Sequence, residues 1–185
     1  MGMAAPLYYT AEMVRALPED GNRYETVHGE LLVTPAPRPL HQIVLLRLIQ
    51  ALGRHLEAHP VGQLLCSPAD ISWGPDILVQ PDLFVAPWDE VRALTWERIQ
   101  HLLLAIEILS PTTARADRFT KRRLYQDVRI PTYWIVDADA HSVEVWTPDD
   151  ALPRVQRERV VWMSTGAAEP FVLSLPELFQ PLPKA

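Results

Sequence analysis

The chain has 185 residues, 48% of them hydrophobic and 22% charged, which excludes global disorder and suits one compact domain over 1–185. A net charge of −6 argues against a surface wholly given to nucleic acid, and one cysteine, Cys66, excludes an internal disulfide or a multi-cysteine metal site. No apolar run reaches the roughly 18 residues of a membrane helix, and residues 1–6 place no basic group before an apolar segment, so a cytoplasmic protein without a secretory leader is expected.

In chain order, Thr10 caps a predicted short helix to Leu17, which Pro18 and a polar turn close. Residues 23–33 read as a β-hairpin bending at His28-Gly29, and Pro35-Ala36-Pro37-Arg38-Pro39 as a stiff connector. Residues 40–59 carry the longest helical pattern, with Leu40, Ile43, Val44, Leu48, Ile49, Leu52 and Leu56 on one wide stripe. Residues 63–71 and 76–87 look like strands, joined by a turn at Trp73-Gly74-Pro75, and 88–100 like loop with a helical turn. Residues 101–109 form a nearly continuous apolar run, the pattern of a central strand covered on both faces. Thr112 or Thr113 caps a basic helix to about Val128. A hairpin of 132–137 and 142–146, a strand at 154–163 and a Pro- and Leu-rich ending follow. The expected fold is α/β, a mixed central sheet flanked by helices with an N-terminal β-hairpin extension.

Three charged groups stand at the edges of apolar runs. Asp82 follows Pro81 and opens Leu83-Phe84-Val85; Glu107 interrupts residues 102–109; Lys121 lies on the basic helix. A charge so placed is costly without a partner such as a metal or a counter-ion. Two carboxylates and an ammonium that converge are the equipment for metal-assisted phosphodiester hydrolysis. Each also has a structural explanation: a turn for Asp82, an arginine ion pair for Glu107, a surface pair with Asp117 for Lys121. Asp117, Lys121 and Tyr125 recur at four-residue steps, so one helical stripe can present all three to the site, with Asp117 orienting Lys121. Arg118 and Arg122 form the adjacent stripe and are the candidate phosphate contacts. From Thr112 to Arg129 six positive groups face two negative ones, so the rest of the chain is strongly acidic. Glu25 and Glu30, on either side of the hairpin bend, and His41, at the start of the long helix, are accessory candidates. The other histidines show no zinc-ligand spacing.

These residues sit in stretches that together resemble the Uma-type family of restriction-endonuclease-like proteins, a branch of the PD-(D/E)XK nuclease superfamily. The stretches are 24–31, 37–41, 81–85, 105–112, 117–121 with Tyr125, and 131–137, six in order over about residues 24–146. The resemblance implies a restriction-endonuclease-like fold, with Asp82 as first metal-binding aspartate and Glu107 as second acidic ligand. The superfamily's usual lysine position, two after the glutamate, holds Leu109, and in this branch the lysine moves to the following helix as Lys121. It also points to Glu25 or Glu30 as an accessory acid and to His41. The expected activity is Mg2+-dependent (Mn2+ also serving) endonucleolytic hydrolysis of nucleic acid, with DNA as the expected partner. A homodimer would supply two sites for a duplex. The alternatives are a non-catalytic binding module that keeps the fold, and a hydrolase of small phosphate esters.

Overall fold

A computed structural model describes residues 8–182; the opening stretch read for a leader lies outside them. The architecture is mixed α/β, with three sheets and flanking helices. A six-stranded sheet has the order β10-β9-β8-β7-β6-β3, and a four-stranded sheet the order β2-β1-β5-β4. The strands of these two sheets are β1 (Arg23–Val27), β2 (Glu30–Thr34), β3 (Gln63–Cys66), β4 (Ile71–Gly74), β5 (Ile77–Val79), β6 (Leu83–Ala86), β7 (Leu104–Ile108), β8 (Tyr133–Asp137), β9 (Ser142–Trp146) and β10 (Arg154–Gln156). A third, two-stranded sheet pairs β11 (Arg159–Trp162) with β12 (Phe171–Ser174). In the large sheet β7 runs parallel to β8 and antiparallel to β6.

Strand alternation sorts the side chains of the large sheet onto two cores. Leu83, Val85, Leu104, Ile106, Ile108, Trp134 and Val136 face helix α2 (Pro39–Ala58), whose Val44, Leu48, Leu52 and Leu56 are buried against them. Phe84, Ala105, Tyr133 and Ile135 face the other way. They meet Leu124 and Tyr125 of a second helix and Val27, Ile77 and Val79 of the smaller sheet. Because β7 is buried on both faces, its sequence is a continuous apolar run, and Glu107 is the one residue of β7 that breaks it.

The long helix begins on Pro39, whose ring suits the first helical position, where no backbone N–H is needed. Helix α1 (Ala11–Arg15) starts under Thr10, whose hydroxyl accepts from the Met13 N–H. The strand-like segments 63–71 and 76–87 each divide in two. Residues 67–70 and 80–82 carry the chain between the sheets, and Pro68 and Pro81, lacking an N–H, stop the ladders there. The turn expected at Trp73-Gly74-Pro75 is instead Pro75-Asp76, with Trp73 and Gly74 inside β4. The strand expected over 154–163 breaks at Arg157-Glu158 and serves two sheets, and β12 adds a strand the Pro- and Leu-rich ending hid. The basic helix contains a π-helical turn, Ala116–Lys121, before α3 (Arg122–Asp127).

At the hairpin bend His28 and Gly29 both have positive φ, 50° and 80°, as a two-residue turn between twisted strands requires. A side chain at Gly29 would also run into the Tyr8 ring, which packs on it. Gly29→Ala is expected to cost about 2 kcal/mol, measured as a lower midpoint in urea; a midpoint equal to the parent would contradict this account of the bend.

Candidate active site

The register of β6 on β7 pairs Leu83 with Ile106, which brings Asp82, the residue before β6, to the end of β7 that carries Glu107. Asp82 lies beyond the last ladder pair because Pro81 has ended the strand. Its side chain is held from three directions. Arg23 Nη1 donates to Oδ1 at 2.8 Å, the Ile108 N–H donates to Oδ2 at 2.8 Å, and His41 Nε2 lies 3.1 Å from Oδ2. Thus the start of β1, the end of β7 and the first turn of α2 meet on one carboxylate.

The second half of the site is built on Lys121. Its ammonium is 2.8 Å from Glu25 Oε1, 2.9 Å from Glu107 Oε1 and 3.8 Å from Asp117 Oδ1. The Tyr125 hydroxyl donates to the same Glu107 oxygen at 3.0 Å, and the Gln80 N–H donates to Glu25 Oε1 at 2.7 Å. Asp117, Lys121 and Tyr125 are all buried, so the four-residue stripe does turn inward. Glu25, Asp82, Glu107, Asp117 and Lys121 are each at most 4% exposed.

Electrostatics follows from this crowding. Burial pushes Asp82 upward, but the His41 hydrogen bond and the Arg23 charge outweigh it and hold the carboxyl well below its usual range. Burial dominates at Glu107 and raises it well above the ordinary carboxylate value. Lys121 opposes this, while Asp82, Asp117 and Glu25 add to it. Asp117 is pushed up to about 6, again chiefly by burial. Lys121 shifts upward because its carboxylates outweigh its own burial. Lys121 holds its proton firmly while Glu107 tends to keep one too, because a single ammonium serves three acids. Four carboxyl groups (Glu25, Asp82, Glu107, Asp117) face two permanent cations, Arg23 and Lys121, so the acids outnumber the groups that can neutralise them.

The other sequence candidates fall elsewhere. Of the two hairpin glutamates Glu25 enters the cluster; Glu30 is exposed and lines a separate depression with Phe119 and Arg123. Arg118 binds Glu144 at 2.7 Å and Asp137 at 3.2 Å, and the Arg122 guanidinium lies 4.8 Å over the Trp146 ring. Both fasten the helix to β8 and β9 and are already engaged. Arg23 is the site residue that sequence reading missed. Alternation along β1 sets 23 and 25 on one face, which was the available signal. A cleft of about 380 Å3 opens onto Asp82, Arg23 and His41 between the proline-stiffened connector and residues 110–113.

A family model described as "Uma2: Putative restriction endonuclease" matches residues 11–180, well beyond the stretch that carried the resemblance. The chain belongs to the Uma2 family. Among solved structures, a crystal structure described as a putative nuclease belonging to DUF820, from Anabaena variabilis, matches the Uma2 chain with a TM-score of 0.76. The two share 22% identity over 92% of this chain and 97% of that one, which shows that they have the same fold. No curated protein matches.

Nucleases of this type generally use divalent metals. The Uma2 cluster suits one in its chemistry: carboxyl groups that outnumber the permanent cations, and a buried Glu25 Oε2 with no hydrogen-bond partner among the described residues. Among those residues no group of three or more His, Cys, Asp or Glu forms a ready metal cage. Two carboxylates with water and phosphate oxygens completing the shell is the arrangement Mg2+ prefers over such a cage.

Removing Lys121 leaves buried acids without their counter-ion. Lys121→Met is expected to cost roughly 3–5 kcal/mol, and adding Glu107→Gln to recover part of it, as read by urea denaturation. No recovery in the double variant would contradict the shared-ammonium picture.

Proposed function

We propose that this protein is a Mg2+-dependent endonuclease that hydrolyses phosphodiester bonds of nucleic acid, DNA foremost. The observation that carries the reading is one buried cluster in which Asp82 is bonded to the Ile108 N–H at the end of β7 and the Lys121 ammonium is buried against Glu107, the residue before it. In this reading Asp82 and Glu107 hold the ion. When bound, it polarises the phosphoryl oxygen and lowers the pKa of an attacking water.

The chain's own groups have distinct tasks. The Ile108 N–H and His41 fix the orientation of Asp82, which Arg23 neutralises before the ion binds, and Tyr125 with Lys121 fixes Glu107. The low proton affinity of Asp82 keeps it ionised as a ligand at neutral pH, whereas Glu107 gives up its proton most readily when positive charge arrives beside it. Lys121 supplies positive charge toward the transition state, and Asp117 and Glu25 hold it in place. The cleft above Asp82 receives the strand. A second copy of the chain would bring two such sites to the two strands of a duplex.

The non-catalytic reading draws on one observation: Asp82 and Glu107 are already satisfied by protein partners, as in a structural ion-pair network. Incubation of plasmid, single-stranded DNA and RNA with Mg2+ or Mn2+ separates the two. Cleavage is expected with metal and not with a chelator, and Asp82→Asn and Glu107→Gln are each expected to slow it about 10²-fold or more. Cutting by Glu107→Gln at the parent rate, or cutting that survives the chelator, would overturn the proposal.

A further inference from the structure

Three buried polar atoms of the site lack a hydrogen-bond partner among the described residues: His41 Nδ1, and Arg23 Nε and Glu25 Oε2, which face one another 3.8 Å apart. Leaving such atoms unsatisfied is costly, so their persistence calls for an explanation. The same guanidinium donates through Nη1 to Asp82 Oδ1 at 2.8 Å and to Ser67 Oγ at 3.2 Å. It therefore sits between two acids of the cluster, where a divalent cation would compete with it.

Arg23 also faces outward. Its side chain is 20% exposed, against 5% for Asp82 and 0% for Glu25, and it lines the cleft. Arg38, the other arginine of the cleft, is paired to Asp139 at 2.7 Å. On the basic helix Arg118 and Arg122 are held by Asp137, Glu144 and Trp146, and Arg115 and Arg123 do not line the cleft. Among the described residues, Arg23 is thus the permanent cation that both touches the acid cluster and opens onto the cleft.

We infer that Arg23 is the phosphate-binding group of this site, and that it reaches the strand by leaving Asp82 when a divalent cation occupies that carboxylate. The inference rests on the nuclease reading above. A guanidinium freed from Asp82 keeps its Ser67 contact as a pivot and presents a planar fork suited to two phosphate oxygens. Cation uptake and strand binding then favour each other, because the first releases the group that performs the second. The lone Nε–Oε2 pair is explained as well: Arg23 is placed for two positions and is fully satisfied in neither while the cation is away.

The test measures two affinities in the metal-stripped protein and in Arg23→Gln and Arg23→Lys. Mn2+ binding is followed by calorimetry. Binding of a fluorescein-labelled oligothymidylate with phosphorothioate linkages is followed by anisotropy, with and without Mn2+. Arg23→Gln is expected to bind Mn2+ roughly tenfold more tightly, having lost a competing charge, and to bind the strand about tenfold more weakly in Mn2+. The gain in strand affinity that Mn2+ confers on the parent should vanish. Arg23→Lys keeps the charge but not the fork, so Mn2+ binding should stay near the parent's while strand binding weakens. A merely structural arginine would lower both affinities together; that result, or unchanged strand binding, overturns the inference alone. A parent that takes up no Mn2+ overturns the nuclease reading and this inference with it.

Discussion

The Lys121 ammonium, bonded at once to Glu25 and Glu107, is the constraint on which the surrounding structure turns. Each partner comes from a different layer: Glu25 from the hairpin of the smaller sheet, Glu107 from the central strand of the larger one, Lys121 from the helix between them. None of these charges would be tolerated alone at such depth, since an unpaired buried ion costs several kcal/mol. Together they pin the helix, the hairpin and the central strand in one register. The apolar cores on either side exclude water from the cluster and so strengthen every interaction within it.

The price of this arrangement is an excess of carboxylates, and that excess is informative. A purely structural network tends toward matched charges, yet here four acids share two permanent cations; burial first, and the neighbouring carboxylates after it, raise the proton affinity of Glu107 and Asp117. Asp82 behaves differently because Arg23, His41 and the Ile108 N–H converge on it. Asp82, which lines the cleft, and the buried Glu107 thus shift in opposite directions within one cluster, an arrangement suited to accept further positive charge.

Much of this was legible in the amino-acid order. Glu107 announced itself by interrupting an apolar run too long to tolerate a charge without reason, and Lys121 by a stripe shared with Asp117 and Tyr125. The two-sided burial of β7, the long α2 helix and both hairpins follow from periodicity and turn chemistry. Other features were not legible. Short apolar segments such as Ile71–Gly74 and Leu83–Ala86 look alike whichever sheet they join, so their division between two sheets needed tertiary information. The choice of Glu25 over Glu30 depends on which face of the hairpin packs inward. Arg118 and Arg122 looked like phosphate contacts because sequence cannot show that Glu144, Asp137 and Trp146 already hold them. Arg23 was overlooked because its partner, Asp82, is distant in sequence.

Diffraction from crystals soaked in Mn2+, recorded at the manganese absorption edge, addresses the site most directly. A single anomalous peak bonded to both the Asp82 and Glu107 carboxylates is the result that the acid excess predicts. Saturating Mn2+ that leaves no peak there, with Asp82 still on Arg23 and Glu107 still on Lys121, would contradict it and leave only the fold and the family.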